Sequence, residues 1–259
     1  MPKETAARSV VEISPNIIAL SVAAAEQIVV EAEHAIDARG RFVVALSGGS
    51  TPRRTYELLA REPYASRVNW PRVHVVWGDE RCVPPSDVDS NYRMARESLL
   101  DHVPIPATNV HRMHGEDDPA AAAASYETAL RSLFNTPSGP PASVPGKNID
   151  LALLGLGDNG HTASIFPESA AASEQRRWVM AEYVPAVSMW RITLTAQILN
   201  AAAEVLFLVS GGDKAEVLQR ILEGPRVPRE LPAQLIAPKP GQIRWLADAA
   251  AAAELGKGT

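Results

Sequence analysis

A chain of 259 residues with 46% apolar and 21% charged side chains can bury a substantial core, and its composition excludes wholesale disorder. A net charge of −5 and a sequence pI near 5.7 exclude the extended basic surface by which nucleic acid is normally held, so any anionic ligand needs a local pocket. Cys82, the only cysteine, excludes an internal disulfide and suits the reducing cytosol; the polar stretch 1–14 has no signal-peptide core, and no segment reaches the ~20 apolar residues of a membrane span.

Residues 16–39 place Ile17, Ile18, Leu20, Val22, Ile28, Val29 and Ala32 at helical spacing, and Gly40 follows as a stop signal. The apolar run 42–46 ends in Ser47-Gly48-Gly49-Ser50-Thr51, and Pro52 then opens a periodic segment to Arg61, which predicts strand, tight loop, helix. A second strand over 73–77 ends in Gly78-Asp79-Glu80-Arg81, and a third over 149–154 ends in a glycine-rich turn. Further strands are expected over 205–209, ending in Ser210-Gly211-Gly212, and over 243–246. The proline-rich stretch 136–146 reads as a surface loop, and the alanine runs at 120–124 and 249–253 read as helix formers. With no repeat of fixed period, the chain is expected to form one domain over 1–259.

Strands that are apolar on both faces and alternate with helices predict an α/β fold with a parallel sheet covered on both sides. Ligands of such sheets sit at the carboxyl ends of the strands, where every polar, glycine-containing turn above falls. The Ser47–Thr51 loop has the ingredients of a phosphate cradle: glycines that admit an anion, a hydroxyl at Ser50 or Thr51 to cap the helix, and free N–H groups at a positive dipole end. It lacks the lysine and spacing of a nucleotide P-loop. Gly155-Leu156-Gly157-Asp158-Asn159-Gly160 matches a dinucleotide fingerprint formally, but Pro167 cuts the next segment too early for a crossover helix, so no dinucleotide cofactor is expected.

His161, directly after that turn, is the candidate base, since an imidazole with a pKa of about 6.5 is available in its neutral form near pH 7. His34, His74 and His102 are read as packed or solvated. His111 and His114 with Glu116, Asp117 and Asp118 invite a metal reading, which is set aside because acids belong at the start of the alanine-rich helix that follows. Arg81 suits bidentate recognition of phosphate or carboxylate, and Arg191 and Lys214 could bring further positive charge to the same pocket. No G-x-S-x-G elbow occurs, which disfavours a serine hydrolase.

In chain order, Leu46-Ser-Gly-Gly-Ser-Thr-Pro52, Gly78-Asp-Glu-Arg81 with Ser90-Asn91, Gly155-Leu-Gly-x-x-Gly-His-Thr-Ala-Ser-Ile-Phe-Pro167, Arg191-Ile-Thr193 and Gly211-x-x-Lys-Ala215 resemble the 6-phosphogluconolactonase family, a relative of glucosamine-6-phosphate deaminases. The resemblance implies a modified Rossmann-like α/β fold, no cofactor or metal, and hydrolysis of a sugar-phosphate lactone in the oxidative pentose phosphate pathway. It also implies a cytoplasmic protein, read as a monomer, without nucleic-acid or membrane partners. His161 is implied as the base that activates water, and Gly48, Gly49, Ser50, Thr51, Asp79, Arg81, Asn91, Arg191 and Lys214 as substrate and phosphate contacts. Arg81 or a backbone N–H would serve the oxyanion.

The pattern departs from the family at one position: Asn159 stands where aspartate is usual, with Asp158 just before it. An amide can orient imidazole, but it cannot stabilise imidazolium as a carboxylate does. Two rivals are a deaminase, whose Ala-Phe-Asn-Glu-Pro continuation is replaced here by Thr162-Ala-Ser-Ile-Phe-Pro167, and a non-catalytic sugar-phosphate sensor, which should carry a helix-turn-helix module that is not evident.

Overall fold

The computed structural model describes residues 8–136, 148–239 and 241–257. Strand β1 (Arg8–Ser14) leads into helix α1 (Ile17–Arg39), whose start is fixed by Asn16: its side-chain oxygen accepts from the N–H groups of Ile18 and Ala19, each at 3.0 Å. Gly40 ends the helix at φ 74°, a left-handed conformation that glycine adopts without steric cost. Strand β2 (Phe42–Leu46), helix α2 (Ser50–Leu59), strand β3 (Val73–Trp77) and the short strand β4 (Asp79–Arg81) follow. Next come helix α3 (Asn91–Ser98), capped by Ser90, and helix α4 (Pro119–Leu133), capped by Asp118. The second half contains β5 (Leu151–Gly155), β6 (Val179–Val184), β7 (Met189–Leu194), α5 (Ala196–Leu199), β8 (Glu204–Val209), α6 (Ala215–Leu222) and β9 (Gln242–Asp248).

Six strands form one parallel sheet in the order β1-β9-β8-β5-β2-β3. Its inner strands are apolar on both faces because both faces are covered, and every residue of β2 and β8 is buried. A smaller antiparallel sheet, β4-β7-β6, stands against its carboxyl edge. Gly78 joins the two: its N–H donates to Leu46 O in the large sheet, and its carbonyl accepts from Leu194 N in the small one. The chain thus leaves β3 and enters β4 without a loop, which carries Asp79 and Arg81 over the ends of β2 and β5.

The predicted parallel α/β sheet is present, with the third strand shifted to 151–155. Three features differ from expectation. The segment read as a polar tail contains β1, an edge strand with one neighbour, which leaves Val11 and Ile13 exposed and makes its sequence look mixed. The alanine run 249–253 forms turns, because Asp248 draws the N–H of Ala251 onto its side chain and that of Ala252 onto its carbonyl. The small antiparallel sheet was not foreseen. Of the proline-rich stretch, 137–146 lies outside the described residues.

Candidate active site

A cleft of about 420 Å³ opens where the carboxyl ends of β2, β3, β5 and β8 meet the small sheet. It gathers Gly48, Gly49, Asp79, Arg81, Asn91, His161, Arg191 and Lys214 from six separate stretches of chain. Ser47, Gly48 and Gly49 form the phosphate-loop wall, whereas Ser50 and Thr51 open helix α2 and stand outside it. The expected hydroxyl cap is absent: Gly49 occupies the N-cap position, and neither Ser50 nor Thr51 caps the helix. Arg53 N–H to Gly49 O begins the helical ladder, and Pro52 has no N–H, so the Ser50 and Thr51 N–H groups have no intrahelical acceptor.

Buried Tyr56 clasps the loop from below, its hydroxyl accepting from Ser47 N and donating to Ser47 O, both at 2.9 Å. Asn91 presses its amide onto the bare α-carbon of Gly48, where an added Cβ would lie 1.9 Å from Asn91 Oδ1. The same amide donates to the carbonyl of Asp79 at 2.9 Å. Asp79 is nearly buried, and its carboxylate accepts from the Ser164 hydroxyl at 2.7 Å, which joins the phosphate-loop side of the cleft to the loop that carries His161.

His161 is held on three sides. Asn159 Oδ1 accepts from the His161 backbone N–H at 3.1 Å, so the atom facing the ring is an acceptor, and it lies 2.6 Å from Nδ1. Nδ1 therefore carries the proton, and Nε2 presents its lone pair. Phe166 stacks on the imidazole at 4.2 Å between centroids, with the planes 20° apart. On another side, a Cβ on Gly157 would stand 2.0 Å from Nδ1, so only glycine leaves room for the ring. Burial lowers the imidazole pKa below its ordinary value; the carboxylates of Asp79 and Asp158 pull it upward, and Lys214 and Arg191 add to the downward push.

Arg81 and Arg191 face each other as register partners across β4 and β7. Both Nε atoms are buried without an acceptor, which is a costly state for a charged donor. Burial and the neighbouring Arg81 push the Arg191 pKa down, while Asp79, Glu80 and Asp89 oppose them. Arg81 is steered by donation to the carbonyl of Asp89. Lys214 sits in a short turn before α6, with its ammonium 2.9 Å from the Asp213 carboxylate.

Two features of this site were not read from sequence. Glu80, buried at 2% exposure, accepts from the N–H groups of Arg81, Asn91 and Tyr92, each at 2.7 Å, and from the Ser90 hydroxyl at 3.1 Å. Burial raises its pKa against those bonds. Phe166 and Ser164 belong to the quoted motif, yet nothing in their spacing showed that they touch His161 and Asp79.

The histidines set aside from metal binding lie elsewhere. His111 Nε2 is 3.2 Å from His74 Nδ1 at the edge of β3, and His114 stands beside Glu116 and Asp117. Among the described residues no group of three or more His, Cys, Asp or Glu side chains is placed to hold a metal ion. No helix among them is long and apolar enough to cross a membrane.

Comparison with known proteins adds three findings. The profile of the family described as glucosamine-6-phosphate isomerases/6-phosphogluconolactonase matches residues 15–245. A 6-phosphogluconolactonase of Nostoc sp. is 40% identical over 249 residues, covering 96% of this chain and 99% of its own; one of Synechocystis sp. is 41% identical over 216 residues, covering 83% and 85%. The solved 6-phosphogluconolactonase from Trypanosoma cruzi superposes with a TM-score of 0.84 at 28% identity, covering 98% of this chain and 99% of that one.

Proposed function

The chain belongs to the glucosamine-6-phosphate isomerase/6-phosphogluconolactonase family, and from that premise we propose how its cleft opens a sugar-phosphate lactone. The reaction is hydrolysis of 6-phosphoglucono-δ-lactone to 6-phosphogluconate, a step of the oxidative pentose phosphate pathway. His161 Nε2 takes a proton from water as the oxygen attacks the lactone carbonyl carbon. The tetrahedral intermediate then collapses, the bond from that carbon to the ring oxygen breaks, and the imidazolium returns its proton to the departing oxygen. The new carboxylic acid ionises in solvent. One imidazole serves both steps.

The observation that carries this reading is the locked ring. Asn159 fixes the tautomer that leaves Nε2 basic, in a cleft that also holds Arg81, Arg191 and Lys214. These cations, with the backbone N–H groups of Gly48 and Gly49, hold the phosphate and so orient the carbonyl. Asp79 and Asn91 position both loops, and Arg81 or a backbone N–H meets the oxyanion. The single cysteine suits a reducing compartment, which supports a cytoplasmic location.

His161→Ala should fold normally and lose about 10²- to 10⁴-fold in catalysed rate. The check is acid release from lactone generated in situ, with spontaneous hydrolysis subtracted. A folded variant with unchanged rate would remove His161 from the mechanism.

A further inference from the structure

Lys214 reaches the cleft from a turn with little support of its own. The turn follows β8, passes through Gly211 at φ 101°, and closes when Lys214 N–H donates to Gly211 O at 3.1 Å. The side-chain ion pair with Asp213 gives little anchorage, because Asp213 is 66% exposed. What holds the turn lies beyond the motifs, at the end of β9. Asp248 is 5% exposed, and its carboxylate accepts from the Ser210 hydroxyl and, at 3.2 and 3.3 Å, from the N–H of Gly211. Ala251 N–H donates to the same carboxylate at 2.8 Å, so its own position is fixed by the chain that follows. Gly211 thus bonds Asp248 through its N–H and Lys214 through its carbonyl.

We propose that Asp248 is a positioning residue for substrate binding: it sets the Ser210–Lys214 turn so that the ammonium meets the phosphate. Asp248 touches no substrate and acts through Gly211. This rests on the reading of Lys214 as a phosphate ligand. An amide at 248 keeps the shape but loses the charge and one acceptor oxygen, so the turn loosens while the sheet remains.

The test is a double-mutant cycle read by calorimetric binding of 6-phosphogluconate to the intact chain. Asp248→Asn should weaken binding about tenfold in the natural background and less than about twofold when Lys214→Met is already present. Ser210→Ala, which removes one bond only, should weaken binding in the same direction and by less. Thermal unfolding of each variant shows whether it is folded, and if Asp248→Asn is not, the cycle is run with Ser210→Ala in its place. Equal weakening in both backgrounds, or none in the natural one, overturns the role of position 248 while leaving Lys214 as a ligand. Unchanged affinity in Lys214→Met alone overturns the assignment of Lys214, and the role of Asp248 with it.

Discussion

Burial lowers the affinity of His161 for a proton, Asp79 and Asp158 raise it, and the balance lies below the ordinary imidazole value. More than half of the base is therefore neutral at pH 6.5, and the acid limb of kcat/KM should have its midpoint below that pH. Asn159→Asp places a negative charge on the proton-bearing side of the ring, stabilising imidazolium. The acid limb of the profile should then move up by about one unit. The measurement is kcat/KM from pH 5 to 8 for both forms, and an unmoved limb would show that another group titrates there. At this scale the sequence was informative about which side chains come together: His161, Arg81, Arg191 and Lys214 are titratable or charged types near glycine turns, and all line the cleft. It was uninformative about supports. The bond from Ser164 to Asp79 joins residues 85 apart in sequence, and that from Asn91 N–H to Glu80 spans an irregular loop, so no helix or strand spacing encodes either.

Helix α3 begins on the carboxylate of Glu80, which joins two backbone N–H groups of its first turn to that of Arg81. Glu80→Ala leaves these donors and the Ser90 hydroxyl unpaired in a buried place, and should cost about 3 kcal/mol of stability. Asn91 and Arg81 lose their fixed positions as well, so KM should rise. Urea unfolding checks the first expectation and steady-state kinetics the second; a variant as stable as the natural chain would deny Glu80 this role. The inner strands were legible because burial on both faces makes an unbroken apolar run, as in residues 42–46 and 205–209. The strands β4, β6 and β7 were not. Asp79-Glu80-Arg81 has no strand-like alternation, and its extended conformation is imposed by pairing with 191–193. Those pairings are long-range, so the small sheet that carries Arg81 and Arg191 is the part of the fold least visible in sequence.

Across the whole molecule, His74, His111 and His161 all bind protons more weakly in the folded chain than the ordinary value of 6.5. Below that pH the unfolded chain takes up protons that the folded chain refuses. The stability they contribute is complete above about 6.5 and is lost as the pH falls through the folded-state values. Glu80, Asp150 and Glu204 are shifted the other way by burial, upward, so they do not drive unfolding in this window. Tm should fall from pH 7 to pH 5, and scanning calorimetry showing a rise would contradict this. Long-range charge works differently. The chain carries −5 overall while the cleft gathers cations, and salt screens distant charge with a Debye length of about 8 Å at physiological strength. Attraction inside the cleft should dominate, and KM for the phosphorylated lactone should rise by roughly severalfold or less when NaCl is raised from about 20 to about 300 mM; a falling KM would show that overall repulsion governs. The pairing of β1 with β9 bears on how the chain is made. Among the described residues β1 has one neighbour in the sheet, β9, which is synthesised about 230 residues later. At a synthesis rate of roughly 5–20 residues per second, Val10, Val11 and Ile13 wait about ten to fifty seconds for the strand that will shelter their backbone. During that interval the nascent chain carries an unpaired strand with Val10, Val11 and Ile13 uncovered, a natural point of attachment for a chaperone.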